Sequence, residues 1–505
     1  MVAVRAEVKM IPSDNPGRMI NRILKENAGK IFFIDGRNDC SYTYGELYGM
    51  CSSFRRKLGE CSGKSPVDVA VILRDQSSYM PVLLACWSTG RIPSIIDPNA
   101  ASEKFETLNS LIKFKSIITD FDLAPGYSRL PAHRYVHEIP SGANKAAAIE
   151  IKLHRRSPFV ILFTSGSTGI PKCVPLSLEN ITSNTRAFSN RLGINGTDCF
   201  LCTSPPWYAH GLYNSLLSSF FLGAKTLSPG ILNVMNCGLS LDKSGKYGAN
   251  IYHLMPSMLK ILTMVGRKIS SGLPEFKHVI CGTARLEKKD KEDFESLFGI
   301  PVTQQYGMTE TLFMCVNDRG QDKYSESVGR PVGCKLKIVG AGGKTLGKNE
   351  TGEVICRSDS MYGSYYYQEE ETAASYAGGW FHTGDSGFFN DENYLFITGR
   401  LKEIIKKGGV NVNPNEIDGV LLKSPLLKQA KTIGIPDSTY GEEIVSFAVK
   451  ASKGATEAKL ISLCRKNLPA THVPKRIFLI DEMPLTSTGK VSSSSLASLA
   501  KSKGE

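Results

Sequence analysis

Short apolar runs alternate with amphipathic stretches along roughly the first 400 residues of this 505-residue chain, and that rhythm limits the fold more than any other feature. Val67–Leu73 reads as a buried strand, Ser77–Ser88 as a helix, and Ile92–Ile96 as the next strand. Phe105–Ile112 then reads as a helix and Ser116–Thr119 as a strand. The pattern returns at Lys277–Cys281, Leu286–Phe298 and Val302–Gln305. Strand, helix and strand in that order build βαβ units, which assemble into parallel sheets. The expected fold class is therefore α/β. From about Ser325 glycines multiply, as in Gly340 to Gly343, Gly347 and Gly352, which suggests a β-rich subdomain. A boundary is expected at Gly399–Lys402. It would divide a large N-terminal domain, residues 1–400, from a small mobile α+β domain, residues 401–505. The serine run Ser492 to Ser495 reads as a mobile tail.

Composition narrows the partners. Lys and Arg number 61 against 48 Asp and Glu, a formal charge of +13. The basic residues are dispersed and carry no nucleic-acid recognition motif, so small polyanions fit better than nucleic acid. Thirteen cysteines, an odd number without repeated spacing, read as reduced thiols in the cytoplasm. Cys199 and Cys202 form a lone CxxC with no second pair, which disfavours a zinc site. No secretory signal is read in Met1 to Asp14, and no run approaches the ~20 apolar residues of a membrane span. Lys503-Gly504-Glu505 is not a peroxisomal address.

The most informative segment starts with the strand-like Phe159–Phe163. It runs straight into Thr164-Ser165-Gly166-Ser167-Thr168-Gly169-Ile170-Pro171-Lys172. Phosphate oxygens need close backbone N–H groups, hydroxyl donors and a cation. Glycine permits the approach, Ser and Thr donate, and Lys supplies the charge. This is not the ordinary P-loop, because Gly169 and Lys172 are separated by two residues and Cys173 follows the lysine.

The loop resembles the signature of the adenylate-forming superfamily, which includes acyl- and aryl-CoA synthetases, luciferase and peptide-synthetase adenylation domains. Only Cys173 departs from its pattern, standing in place of a glycine. Further elements agree in order. Gln304-Gln305-Tyr306-Gly307-Met308-Thr309-Glu310 resembles the family's Tyr-Gly-x-Thr-Glu element. A carboxylate beside a triphosphate is repelled unless a divalent cation lies between them, so Glu310 is the candidate Mg²⁺ ligand and Thr309 a phosphate donor. The resemblance places adenine against Tyr306 and beside Gly282-Thr283-Ala284. It assigns Asp385 to the ribose diol and Arg400 to the ribose or α-phosphate. Lys402 falls at the interdomain hinge. Gly408 and Gly409 would face the pantetheine thiol, and Lys490 would bridge the substrate carboxylate and α-phosphate.

The implied reaction is ATP-dependent activation of a carboxylic acid as an acyl-adenylate, with transfer to a thiol, CoA first. A carrier-protein pantetheine or an amine stays open as acceptor. A binding protein on a degenerate scaffold is the non-enzyme alternative, and intact Lys172, Glu310, Asp385, Arg400 and Lys490 speak against it. His210 would close the carboxylate end of the acid pocket. No acidic residue stands nearby to hold an α-amine, so an amino acid is not expected. Tyr208, Tyr213, Met255, Cys281 and Met308 suggest a medium-sized apolar or aromatic acid.

Overall fold

The computed structural model describes residues 15–61, 65–123, 127, 130–138, 149–164, 170–266, 274–318, 320, 324–452, 454–485 and 491–504. The chain forms two compact units, Met1–Leu336 with Cys356–His382, and Lys337–Ile355 with Thr383–Glu505.

The first unit is built on two sheets. Its strands in chain order are β1 (Ile31–Asp35), β2 (Cys40–Thr43), β3 (Val67–Ile72), β4 (Arg91–Ile95), β5 (Ile117–Thr119) and β6 (Ala132–Arg134). They continue as β7 (Pro158–Thr164), β8 (Lys172–Ser177), β9 (Cys199–Leu201), β10 (Lys225–Ser228) and β11 (Ile251–Leu254). The last are β12 (His278–Cys281), β13 (Val302–Met308), β14 (Leu312–Val316) and β15 (Arg330–Pro331). One sheet runs β6-β5-β3-β4-β7-β8, parallel except for β8, which turns back antiparallel on β7. The other runs β15-β14-β13-β12-β11-β9-β10-β1-β2, parallel from β13 to β1 and antiparallel at both ends. The expected α/β class and βαβ rhythm are what the chain adopts.

Local chemistry sets the helix boundaries. The helix Tyr44–Leu58 starts with Thr43 and Glu46 exchanging side-chain and backbone hydrogen bonds, and Ser177 and Asn180 do the same for Leu178–Leu192. Tyr79–Thr89 is buried along its whole length, which is why its apolar positions show no single face. Its Trp87 indole donates to the Phe159 carbonyl at 2.6 Å and so fastens the helix to β7.

In the second unit Asp385–Phe389 pairs antiparallel with Leu395–Arg400. Leu427–Asp437 and Gly441–Lys450 form a long hairpin, with Arg476–Ile480 parallel to the latter. The helix Pro414–Leu422 opens on Pro414, with Asn413 capping it. The serine run departs from its reading as a mobile tail. Ser492 accepts from the Ser495 amide at 3.2 Å and starts the helix Ser493–Gly504, whose Leu496 and Ala500 are buried with Ile433 and Phe447.

Candidate active site

β7 and β8 bring the ends of the phosphate-type loop together, because Thr164 and Lys172 are register partners. Ser165, Gly166, Ser167, Thr168 and Gly169 between them lie outside the described residues. Lys172 Nζ donates to the Tyr365 hydroxyl at 3.3 Å and to Ser375 Oγ at 3.2 Å, and sits 4.5 Å over the Tyr365 ring. An ammonium has only protons to give, so the Tyr365 oxygen accepts from it and donates its own proton to Glu310 Oε1, 3.0 Å away. Lys172, Tyr365 and Glu310 thus form one hydrogen-bonded line. Glu310 is 5% exposed and Tyr365 4%. Burial, reinforced by the Glu310 charge, pushes the Tyr365 hydroxyl far above the ordinary phenol range, so it stays a donor. Tyr365 does not stand out in the sequence. The only signal is the Ser364-Tyr365-Tyr366-Tyr367-Gln368 run, which looks like a surface stretch.

That run is stitched to the start of β8. The Tyr366 amide donates to the Cys173 carbonyl at 2.8 Å, and the Gln368 side chain bonds the Cys173 amide at 2.7 Å and the Pro171 carbonyl at 3.0 Å. Glu310 and Thr309 occupy the tight turn between β13 and β14. A side chain on Gly307 would place its Cβ 2.2 Å from the Leu312 carbonyl oxygen, so the turn closes only with glycine there.

Gly282, Thr283 and Ala284 follow the end of β12. A Cβ on Gly282 would lie 2.1 Å from Gln305 Nε2, so Gln305 packs directly over this glycine. Thr283 adopts φ +72°, a left-handed conformation costly for a β-branched residue. Ala284 is exposed, and Tyr306 is half-buried on β13. The Cys281 thiol is buried, which drives its pKa upward and leaves it unreactive.

His210 Nδ1 lies 2.8 Å from Ser204 Oγ, and burial lowers its pKa to about 4, so the ring is neutral at pH 7. The Leu254 carbonyl is near enough to oppose that shift, but no hydrogen bond to Nε2 forms. The Tyr208 hydroxyl donates to Asp97 Oδ2 at 2.9 Å, and the Tyr213 hydroxyl donates to Asn184 Oδ1 at 2.7 Å. Met255 and Met308 are half-buried at the ends of β11 and β13.

In the second unit Arg400 Nε reaches Asp385 Oδ1 at 2.6 Å across the hairpin where the two are register partners. Arg400 also donates to the Thr383 carbonyl at 3.3 Å. Lys402 is exposed in the short turn Leu401–Glu403. Gly408 and Gly409 turn at φ +56° and +82°, left-handed angles that suit glycine. Lys490 lies outside the described residues. Among the described residues no group of three or more His, Cys, Asp or Glu side chains is arranged to hold a metal ion. No helix among them is long and apolar enough to cross a membrane.

Residues 21–366 match the AMP-binding enzyme family and residues 416–490 match the AMP-binding enzyme C-terminal domain. An oxalate–CoA ligase of Arabidopsis thaliana is 35% identical over 354 residues, 68% of this chain and 68% of that protein. A 2-succinylbenzoate–CoA ligase of Bacillus cytotoxicus is 26% identical over 480 residues, 91% of this chain and 94% of that protein. ATP-bound MatB from Rhodopseudomonas palustris has the same fold, with a TM-score of 0.86 at 21% identity over 97% of this chain and 100% of that one. A match over residues 21–366, most of the chain, makes this protein a member of the AMP-binding enzyme family, an AMP-forming acid–thiol ligase.

Proposed function

We propose that this protein joins a carboxylic acid without an α-amine to AMP and then passes the acyl group to the thiol of CoA. The observation that carries the reading is the Lys172–Tyr365–Glu310 line, which pairs a cation with a buried carboxylate beside a phosphate-type loop. In the first half-reaction a carboxylate oxygen attacks the α-phosphorus of ATP, the bond to the bridging oxygen breaks, and pyrophosphate leaves. Positioning and charge stabilisation dominate such chemistry. Thr164 to Lys172 would hold the phosphates, Thr309 would donate to them, and Lys490 would bridge the two reacting anions.

Glu310 fits a hard divalent cation, because its carboxylate is buried and spends one oxygen on Tyr365. Mg²⁺ held there together with the triphosphate would neutralise the departing charge. Tyr306 and Gly282–Ala284 would bind adenine, and Asp385 and Arg400 the ribose. In the second half-reaction the small domain, residues 401–505, turns at Lys402 and brings Gly408 and Gly409 to the pantetheine arm. The thiol sulfur then bonds to the acyl carbon and AMP leaves. Thirteen unpaired thiols support work in the cytoplasm.

The two ligases named above act on oxalate and 2-succinylbenzoate, acids with two acidic groups each. Acids of that kind therefore join the medium-sized apolar and aromatic acids as first substrates to test. The experiment is pyrophosphate release from MgATP across such a panel, with and without CoA. Release together with CoA-dependent AMP formation is the expected result. Release that ignores CoA would overturn the thiol acceptor, and no release with any acid would overturn acid activation.

A further inference from the structure

Three buried polar side chains share one face of the parallel sheet, and a fourth, His210 from the helix Ala209–Gly211, stands against that face. His253 on β11, Ile280 on β12 and Thr303 on β13 are register partners in one row, so their side chains point the same way. Gln305 lies two residues beyond Thr303 on that face. The His210 ring stands edge-on to His253, with centroids 6.4 Å apart. All four are more than nine-tenths buried, at 3% exposure for His253, 1% for Thr303 and 8% for both Gln305 and His210. Each nevertheless leaves a polar atom without a partner among the described residues. These are His253 Nδ1, Thr303 Oγ1, Gln305 Oε1 and His210 Nε2. A buried polar atom that forms no hydrogen bond has given up water for nothing, which is why such atoms are scarce. One orphan is ordinary. Four gathered at one face of the sheet call for a polar partner that binds there.

The surroundings fix what that partner can be. The rings of Phe188, Phe200 and Phe313 pack around His253 at 5.8, 6.3 and 5.6 Å and hold it in place. Burial keeps both imidazoles neutral, so each ring carries one N–H and one bare nitrogen, with His210 Nδ1 already engaged by Ser204. Gln305 adds an amide that is donor and acceptor at once, and Thr303 a hydroxyl. The same strand continues to Tyr306 and the Glu310 turn, at the carboxyl ends of parallel strands where open α/β sheets bind ligands. The Gln305 amide packs directly against Gly282.

We infer that this face lines the acid site, and that His210, His253, Thr303 and Gln305 bind the second oxygen-bearing group of a bifunctional acid, a second carboxyl group. The inference rests on the acid–CoA ligase reading and names its substrate class. In this uncharged surrounding a carboxyl group that keeps its proton can donate to Gln305 Oε1 and accept from the Thr303 hydroxyl or an imidazole N–H, whereas an apolar group of the same shape would leave these atoms unpaired. Sites built to hydrogen-bond a substrate discriminate strongly against the analogue that cannot.

The test uses the full chain with MgATP and CoA, and measures kcat/KM for isosteric pairs: malonate against 3-methylbutanoate, and succinate against 4-methylpentanoate. The diacid should exceed its partner by at least about tenfold. His253→Phe and Gln305→Met should each lower that ratio about tenfold or more, whereas a folding defect lowers both members of a pair together. Preference for the branched monoacid in the wild type, or an unchanged ratio in both variants, overturns the inference while leaving acid activation intact. No turnover with any acid overturns acid activation, and this inference with it.

Discussion

Tyr365→Phe removes a single oxygen from the Lys172–Tyr365–Glu310 line and leaves the ring. The ring still packs against Tyr376, with centroids 5.9 Å apart, and still lies under the Lys172 ammonium. Lys172 is half-buried and keeps Ser375 as a partner, so it loses little. Glu310 loses the hydrogen bond to Oε1 while remaining 5% exposed. A hydrogen bond to a charged group contributes about 1.5–3 kcal/mol, so the expected loss is about 2 kcal/mol. At roughly 2 °C per kcal/mol for a unit this large, the melting temperature without nucleotide should fall by about 4 °C. A double-mutant cycle with Glu310→Ala isolates the bond, and its coupling should be at least about 1 kcal/mol. Coupling below about 0.5 kcal/mol, the usual error of additivity, would refute the argument that Tyr365 serves by holding Glu310.

Lys490→Ala should slow adenylation by about 10²–10³ and largely spare thioester formation from supplied acyl-adenylate; equal loss in both steps would rule out the domain turn. Burial raises the Asp68 carboxyl to about 6 from 3.8, with the Tyr366 and Tyr367 hydroxyls and the Lys115 charge working against it. The folded chain therefore keeps this proton where the unfolded chain has released it, so stability is full below the unfolded value and declines as pH rises through 6. Asp68→Asn should flatten that decline in urea unfolding and stabilise the protein at pH 8 by up to about 3 kcal/mol; a less stable variant at pH 8 would contradict it. Gly282→Ala should destabilise by about 1–3 kcal/mol by colliding with Gln305, and adding Gln305→Ala should restore most of the melting temperature; no rescue would place the collision elsewhere.

The strand and helix rhythm was legible because burial imposes it directly. Val67–Ile72, Arg91–Ile95 and His278–Cys281 are strands within a residue or two of their expected ends. The helix expected from Ser77 instead begins at Tyr79, after a tight turn at Gln76–Ser78 in which Asp75 caps the Ser77 amide. Thr164, Lys172 and Glu310 were legible because phosphate chemistry needs those residue types in a recognisable order. Tyr365 was not, because its role comes from partners at positions 172 and 310, far away in the chain. His253 was hidden in the apolar strand Ile251–Leu254, where a single histidine looks like packing. Its register with Thr303 two strands away exists only in the folded sheet.

β8 forms one border of its sheet, and a border strand offers unpaired N–H and C=O groups to any other chain. Among the described residues no further strand covers it. The Tyr366 amide and the Gln368 side chain take up the free groups of Cys173 and Pro171, and Pro175 has no N–H to offer. The few residues that brace Lys172 and Glu310 from one side therefore also seal the sheet against intermolecular strand addition. A variant that loosened this segment would threaten solubility as well as turnover.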